Sequence, residues 1–241
     1  MYKYEMHVHT SECDRAAEMP AAEIVRRYHA AGYDGIVITD HYFWMFEDVW
    51  FTDELRGADH EAYITRWLRG YHEAKAEGDK LGMTVLPGAE VRPDGCLNDY
   101  LIYGVDEEFF YRAPRLHRIK TPAELIEALP PDACVVQAHP FRERMTFIKP
   151  DPLFGFEGFN GAHDEFINGL VKQYAAHFNK AITSGSDYHG RNRFAAGGIK
   201  TEHRIQTPAD LIRVLRSGEY TLIENYGDYP EKKFGSKDYH V

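Results

Sequence analysis

An α/β fold built as one large domain is what this sequence predicts, on three observations. Short β-branched and apolar runs alternate with helical patterns along the chain, the sign of βαβ units around a parallel sheet. The length of 241 residues fits a single α/β barrel of about 250 residues. No Ser/Gly linker or low-complexity tract divides the chain, so the domain is drawn over 1–241, with about 225–241 as a polar, Tyr-rich tail.

The elements follow in order. Strands are expected near Lys3 to Val8, Asp34 to Thr39, Met83 to Glu90, Asp99 to Val105, Ala133 to Ala138, Phe156 to Phe159, Lys180 to Ser184 and Tyr220 to Ile223. Pro20 opens a helix with Ile24, Val25, Tyr28 and Ala31 at helical spacing, and Gly32 closes it where a left-handed cap is wanted. Asp59 to Leu81 is the longest helix candidate. Thr121-Pro122-Ala123-Glu124 and Thr207-Pro208-Ala209-Asp210 are helix starts: an N-cap hydroxyl, proline at the first position, then a carboxylate near the positive end. Tyr42-Phe43-Trp44-Met45-Phe46, followed by Trp50-Phe51, is an unusual aromatic segment after the second strand. At least one of its rings is expected to line the substrate entrance, the competing reading being loop packing.

Composition narrows the function classes. With 44% hydrophobic and 27% charged residues the chain can bury a sizeable core. Lys and Arg number 28 against 38 Asp and Glu, and the net charge of −10 disfavours a broad nucleic-acid or anionic-membrane surface. No apolar run approaches the roughly 18 to 20 residues of a membrane helix, and the first residues lack a signal-peptide core, so a cytoplasmic protein is expected. Cys13, Cys96 and Cys134 are odd in number and far apart, which suggests neither a disulfide framework nor a thiolate zinc site.

Histidine is the unusual component, at 13 residues, and position matters more than number. The first strand runs into His7-Val8-His9, and alternation places both imidazoles on one face. The second strand ends in Asp40-His41 and the third in Glu90; Asp99 heads the fourth; later strands end in His139-Pro140 and in Asp187-Tyr188-His189. Each could singly be structural. Together they form a convergent site, because barrel enzymes build their sites from several strand ends at one rim. His29, His60, His72, His117, His163, His177, His203 and His240 fall in helices, loops or the tail and are assigned no chemistry. Imidazole mixed with carboxylate and no thiolate suits Zn²⁺, Mn²⁺ or Fe²⁺. The ligands exceed what one tetrahedral ion needs, and Glu90 could bridge two ions as in hydrolases that attack phosphorus in line. Arg15, Arg142, Arg144, Arg191 and Arg193 lie near these residues and could bind phosphate oxygens.

The series His7-Val8-His9-Thr10 with Asp14, Thr39-Asp40-His41, Gly88-Ala89-Glu90, Ala138-His139-Pro140 and Ser186-Asp187-Tyr188-His189 resembles the polymerase and histidinol phosphatase (PHP) superfamily, in that family's order. The resemblance implies a distorted (β/α)7 barrel, phosphoester hydrolysis and two to three divalent transition-metal ions. By the same resemblance His7, His9, Glu90 and Asp187 would hold the first ion, Glu90 and His139 the second, and His41 and His189 a third. Two positions depart from the family. Asp99, with Asn98 beside it, stands where a histidine is common, so the second site is weaker or differently completed. Asp14, followed by Arg15, stands where many members have a histidine; it either binds the third ion or, like His189, moves protons.

The expected function is therefore a phosphomonoesterase acting on a small phosphorylated metabolite through a metal-activated hydroxide, with Arg142 or Arg191 on the phosphate and His189 or Asp14 as proton donor. A nuclease or phosphodiesterase of the same superfamily and a non-catalytic metal-stabilised binding domain are the alternatives.

Overall fold

The computed structural model describes residues 1–146, 148–190 and 193–227; Arg191 and residues 228–241, with most of the expected tail and His240, lie outside the described residues. Strand β1 (Tyr2–Glu5) leads to an extended stretch in which Val8 bridges Tyr188. Helix α1 (Ala21–Ala30) buries Ile24, Val25 and Tyr28, and Gly32 takes φ 77° just past its end, as the sequence predicts. Strand β2 (Gly35–Ile38) pairs parallel with β1, and a two-residue strand, β3 (His41–Tyr42), follows.

The aromatic segment forms a π-helical turn, Phe46–Trp50, leading into α2 (Thr52–Leu55). The long helix expected over Asp59 to Leu81 is two, α3 (His60–Trp67) and α4 (Arg69–Leu81), separated at Leu68, with the Asp59 side chain accepting from Ala62 N–H at the start. Just after the break, Gly70 packs so tightly that a Cβ there would lie 2.1 Å from Thr10 Oγ1 and 2.6 Å from Asp40 Oδ2. The strand expected over Met83 to Glu90 is also two, β4 (Thr84–Pro87) and β5 (Ala89–Val91). Gly88 lies between them, where a Cβ would meet Val37 Cγ1 at 2.8 Å and the Ile102 carbonyl at 3.0 Å.

Strand β6 (Tyr100–Tyr103) runs antiparallel to β5 and to β7 (Cys134–Gln137). Its reversal brings its first residues, not its last, to the rim where the neighbouring strands end. Between β6 and β7 lie α5 (Glu107–Arg112) and α6 (Pro122–Glu127), the latter capped by Thr121 as expected. Strands β8 (Gly155–Asn160) and β9 (Ala181–Gly185) flank α7 (Glu165–His177). Strand β10 (Gly197–Thr201) is absent from the sequence reading, since its Gly197-Gly198 start carries little β signal. Helix α8 (Pro208–Ser217) opens with a full Thr207/Asp210 capping box, and β11 (Thr221–Glu224) pairs back on β10.

The strands divide between two sheets, ordered β11-β10-β1-β2-β4 and β3-β5-β6-β7-β8-β9, and their ladders do not close into one barrel. Consecutive strands β2 and β3, and β4 and β5, carry the chain from the first sheet to the second. Tyr4, Met6, Val37 and Leu86 from one sheet and Leu101, Tyr103 and Val136 from the other form one buried cluster that joins them. Among the described residues no helix is long and apolar enough to cross a membrane.

Candidate metal centre

Past β1, Val8 is fully buried in the core, so His7 and His9 on either side of it turn the other way, to the rim. Glu90 reaches the same point from β5, and Asp187 from the loop after β9, with a left-handed φ of 49°. His139, after β7, also has positive φ, 29°. Such backbone is held by surrounding structure and gathers at functional positions.

Two imidazole nitrogens here are flanked by carboxylate oxygens, with His7, His9 and Asp187 donors all within 4.8 Å of one another. His7 Nε2 is 3.1 Å from His9 Nε2, 3.4 Å from Glu90 Oε2 and 3.7 Å from Asp187 Oδ1, while His9 Nε2 is 3.3 Å from Glu90 Oε2 and 3.5 Å from Asp187 Oδ1. Donors about 2.0–2.1 Å from one ion in tetrahedral array are about 3.3–3.4 Å apart, so the separations of His7 and His9 from each other and from the two carboxylates suit a shared divalent ion. Among the described residues Glu90 Oε2 is buried without a hydrogen-bond partner amid imidazole nitrogens, a costly arrangement unless a cation is shared.

The surroundings fix these donors. Glu157 Oε1 lies 2.7 Å from His7 Nδ1, and its other oxygen accepts from the His139 backbone N–H at 2.8 Å and from Asn160 Nδ2 at 2.8 Å. Buried Glu5 accepts from the backbone N–H groups of Met6, His7 and Ser186 at 3.0, 3.0 and 2.9 Å, which ties β1 to the loop bearing Asp187. Burial raises the Glu5 carboxyl to about 7, against these bonds. Burial and then the neighbouring His189 and His41 push His9 down to about 3, leaving the neutral imidazole that binds metal. Burial opposes charge on Glu90, but His41, His7 and His139 hold it well below the carboxylate range.

A second cluster adjoins the first through His9. Asp14 Oδ2 lies 2.6 Å from His41 Nδ1, 3.4 Å from His189 Nε2 and 3.7 Å from His9 Nδ1, and that last nitrogen is buried without a hydrogen-bond partner among the described residues. His41 Nε2 in turn is 3.0 Å from Glu90 Oε2. These donors of His9, Asp14, His41 and His189 lie within 4.8 Å of one another. Asp40, beside His41, is not among them: it accepts from Thr10 N–H at 2.6 Å and Thr10 Oγ1 at 2.8 Å, fixing the turn that carries Asp14.

A third group gathers Glu90, Asp99 and His139, with His139 Nε2 at 2.7 Å from Glu90 Oε1 and 3.6 Å from Asp99 Oδ2. Two arginines enter it. Arg92 Nε and Nη2 lie 2.5 and 2.6 Å from the two Asp99 oxygens, and Arg142 Nη2 lies 3.1 Å from Oδ2.

The structure thus brings together His7, His9, Asp14, His41, Glu90, Asp99, His139, Asp187, His189 and Arg142. Arg191 lies outside the described residues. Arg15 packs over Phe51 and donates to the Trp50 carbonyl. In the aromatic segment Tyr42, Phe43 and Phe46 are buried and Trp44 is exposed; the Phe43 ring lies 5.1 Å from His41 and 5.0 Å from Trp50. Glu5, Arg92, Glu157 and Asn160 are missing from the sequence reading. His163 also lies near the centre: burial, then His139, lowers it to about 4.

No family model and no curated protein matches the chain. Solved structures do. A two-domain Bacteroides vulgatus protein containing a predicted PHP-like metal-dependent phosphoesterase is 16% identical with TM-score 0.62, over 93% of this chain and 65% of its own. This chain therefore spans about two thirds of that protein. PsfC from Pseudomonas syringae is 18% identical with TM-score 0.62, over 93% of this chain and 91% of its own. An amidohydrolase from Chromobacterium violaceum, with sulfate bound, is 16% identical with TM-score 0.55, over 93% and 98%. The shared fold bears out the PHP resemblance that the motifs carry.

Proposed function

We propose that this chain is a phosphomonoesterase that hydrolyses a small phosphorylated metabolite, in the manner of a histidinol phosphatase. One observation carries this: the buried imidazole nitrogens of His7 and His9, each within 3.7 Å of both a Glu90 and an Asp187 carboxylate oxygen, set beside a partly exposed arginine. His7, His9, Glu90 and Asp187 would hold one divalent ion, and Asp14, His41 and His189 another, with zinc, manganese and iron all suited to the donor set. Such ions activate water and neutralise phosphoryl charge. Glu157 sets the orientation of His7, and Arg142 binds phosphoryl oxygens. With that second ion absent, His189, 29% exposed at its side chain, can instead reach the leaving oxygen, and buried Asp14 then holds His41 and His189 in place. Arg191, two residues beyond His189, remains a candidate phosphate contact by position. The two sheets are read as the halves of a distorted (β/α)7 barrel, because β2–β3 and β4–β5 cross between them.

The test compares p-nitrophenyl phosphate, bis-p-nitrophenyl phosphate and p-nitroacetanilide, before and after chelation and with Zn²⁺ or Mn²⁺ returned. Turnover of the monoester that is lost on chelation and restored by metal supports the proposal. Preference for the diester would indicate a nuclease-like activity, preference for the anilide an amidohydrolase, and no turnover by metal-loaded protein a binding domain.

A further inference from the structure

The third donor group is unlike the other two, because one of its carboxylates is already paired with arginine. Asp99 is fully buried, and both of its oxygens are taken by Arg92 in a two-pronged pair, with Arg142 Nη2 adding a contact to Oδ2. His139 Nε2 lies at hydrogen-bonding distance, 2.7 Å, from Glu90 Oε1 and 3.3 Å from Arg142 Nη1. A cation at this position would face two guanidinium charges at close range.

The charges suggest what these groups do instead. Two guanidiniums on one carboxylate leave one net positive charge, the same as a divalent ion on that carboxylate would leave. Guanidinium also offers several N–H groups in a planar fork suited to phosphate, and Arg92 engages Asp99 through Nε and Nη2 only. Both arginine side chains remain partly exposed, 26% for Arg92 and 40% for Arg142, whereas Asp99 is sealed.

We propose that Asp99 is not a metal ligand but the anchor of a two-arginine clamp, which takes the place of a cation at this end of the centre and binds an anionic oxygen group of the substrate. The identity of that group as phosphoryl rests on the phosphoesterase proposal; the clamp itself rests on the contacts among Asp99, Arg92, Arg142 and His139. Arg92 becomes a substrate-binding residue and Asp99 a positioning residue that acts through it.

The experiment measures metal equivalents by plasma mass spectrometry and inorganic phosphate affinity by calorimetry on metal-loaded protein. Asp99→Asn should keep the wild-type number of metal equivalents, while Arg92→Gln and Arg142→Gln each weaken phosphate binding about tenfold or more. Loss of one metal equivalent in Asp99→Asn, or unchanged phosphate affinity in Arg92→Gln, overturns the clamp. Should Asp99→Asn not fold, the double variant Arg92→Gln/Arg142→Gln decides: freeing the carboxylate should let the protein take up one additional metal equivalent, and an unchanged count overturns the proposal. Phosphate bound through these arginines without turnover of any phosphomonoester would sink the phosphatase proposal and leave the clamp standing. A metal equivalent lost from Asp99→Asn in an active phosphatase would do the reverse.

Discussion

His7 Nδ1 lies 2.7 Å from Glu157 Oε1 with both side chains fully buried, so a carboxylate from β8 decides which nitrogen of His7 faces the proposed ion. With Nδ1 held by Glu157, Nε2 is the atom left to meet His9, Glu90 and Asp187. Glu157→Gln should therefore lower metal affinity by about 10 to 100-fold with the fold retained. Metal titration followed by circular dichroism checks this, and wild-type affinity would show that Glu157 serves packing alone.

Glu90 should be less replaceable still. Its Oε2 stands among the nitrogens of His7, His9 and His41, while Oε1 holds His139. Glu90→Gln should reduce both metal content and turnover by about 100-fold or more, without loss of the apo fold. Near-normal activity and metal content would make Glu90 a structural carboxylate.

Gly70 sets two effects against each other. Alanine is favoured in a helix by about 1 kcal/mol, but its Cβ would stand 2.1 Å from Thr10 Oγ1. Overpacking of this kind costs about 1–3 kcal/mol, so the clash should win. Gly70→Ala should unfold at lower denaturant concentration than wild type and bind metal more weakly, since the Thr10–Asp40 contact fixes the turn between His9 and Asp14. A gain in stability would refute the close approach.

The aromatic segment separates by burial. Tyr42→Ala and Phe46→Ala should each cost about 3–5 kcal/mol of stability, and exposed Trp44→Ala less than about 0.5 kcal/mol. Phe43, against His41 and Trp50, is the member expected to alter kcat/KM unequally between an aromatic and an aliphatic phosphomonoester. Equal loss on both substrates would assign Phe43 to packing and place leaving-group selection elsewhere.

Acid should weaken the protein through His117. Its ring lies 5.6 Å from Tyr42 and 6.0 Å from Tyr63, and neither ring nitrogen has a hydrogen-bond partner among the described residues. Burial, followed by Arg118, lowers it to about 4. The folded value lies below the ordinary value of about 6.5, so this stability is present above about pH 6.5 and is lost as pH falls through about 4. The loss is on the order of 2–3 kcal/mol. Denaturant unfolding at about pH 7 and about pH 5 should show a smaller difference for His117→Phe than for wild type, and an identical slope would exclude His117 as its source.

His7, His9, His41, Glu90, His139 and Asp187 are legible in the sequence because each stands at or just past the end of an apolar run, where strand alternation and rim position are both readable. The helix starts at Thr121 and Thr207 are legible because capping chemistry is local. Glu5 and Glu157 are not, because a carboxylate inside a strand declares its role only when its long-range partners, Ser186 and His7, are folded against it. The reversal of β6 is likewise a matter of partner choice between strands, as is the split of β4 from β5 where Gly88 is squeezed between neighbours. Asp99 is found at the rim for a reason the sequence does not contain: its strand points the opposite way.

That reversal makes β5 and β6 a hairpin whose register pairs Val91 with Tyr100, so the next pair outward is Arg92 with Asp99. A slip of one residue by either strand would turn its side chain to the other face and part the pair. The guanidinium and the carboxylate that anchors it are thus inherited together, as a cassette of contiguous residues. Exchanging residues 92–99 as a block could trade arginine for a metal-binding side chain in one local event, leaving the imidazoles of the remaining strands untouched.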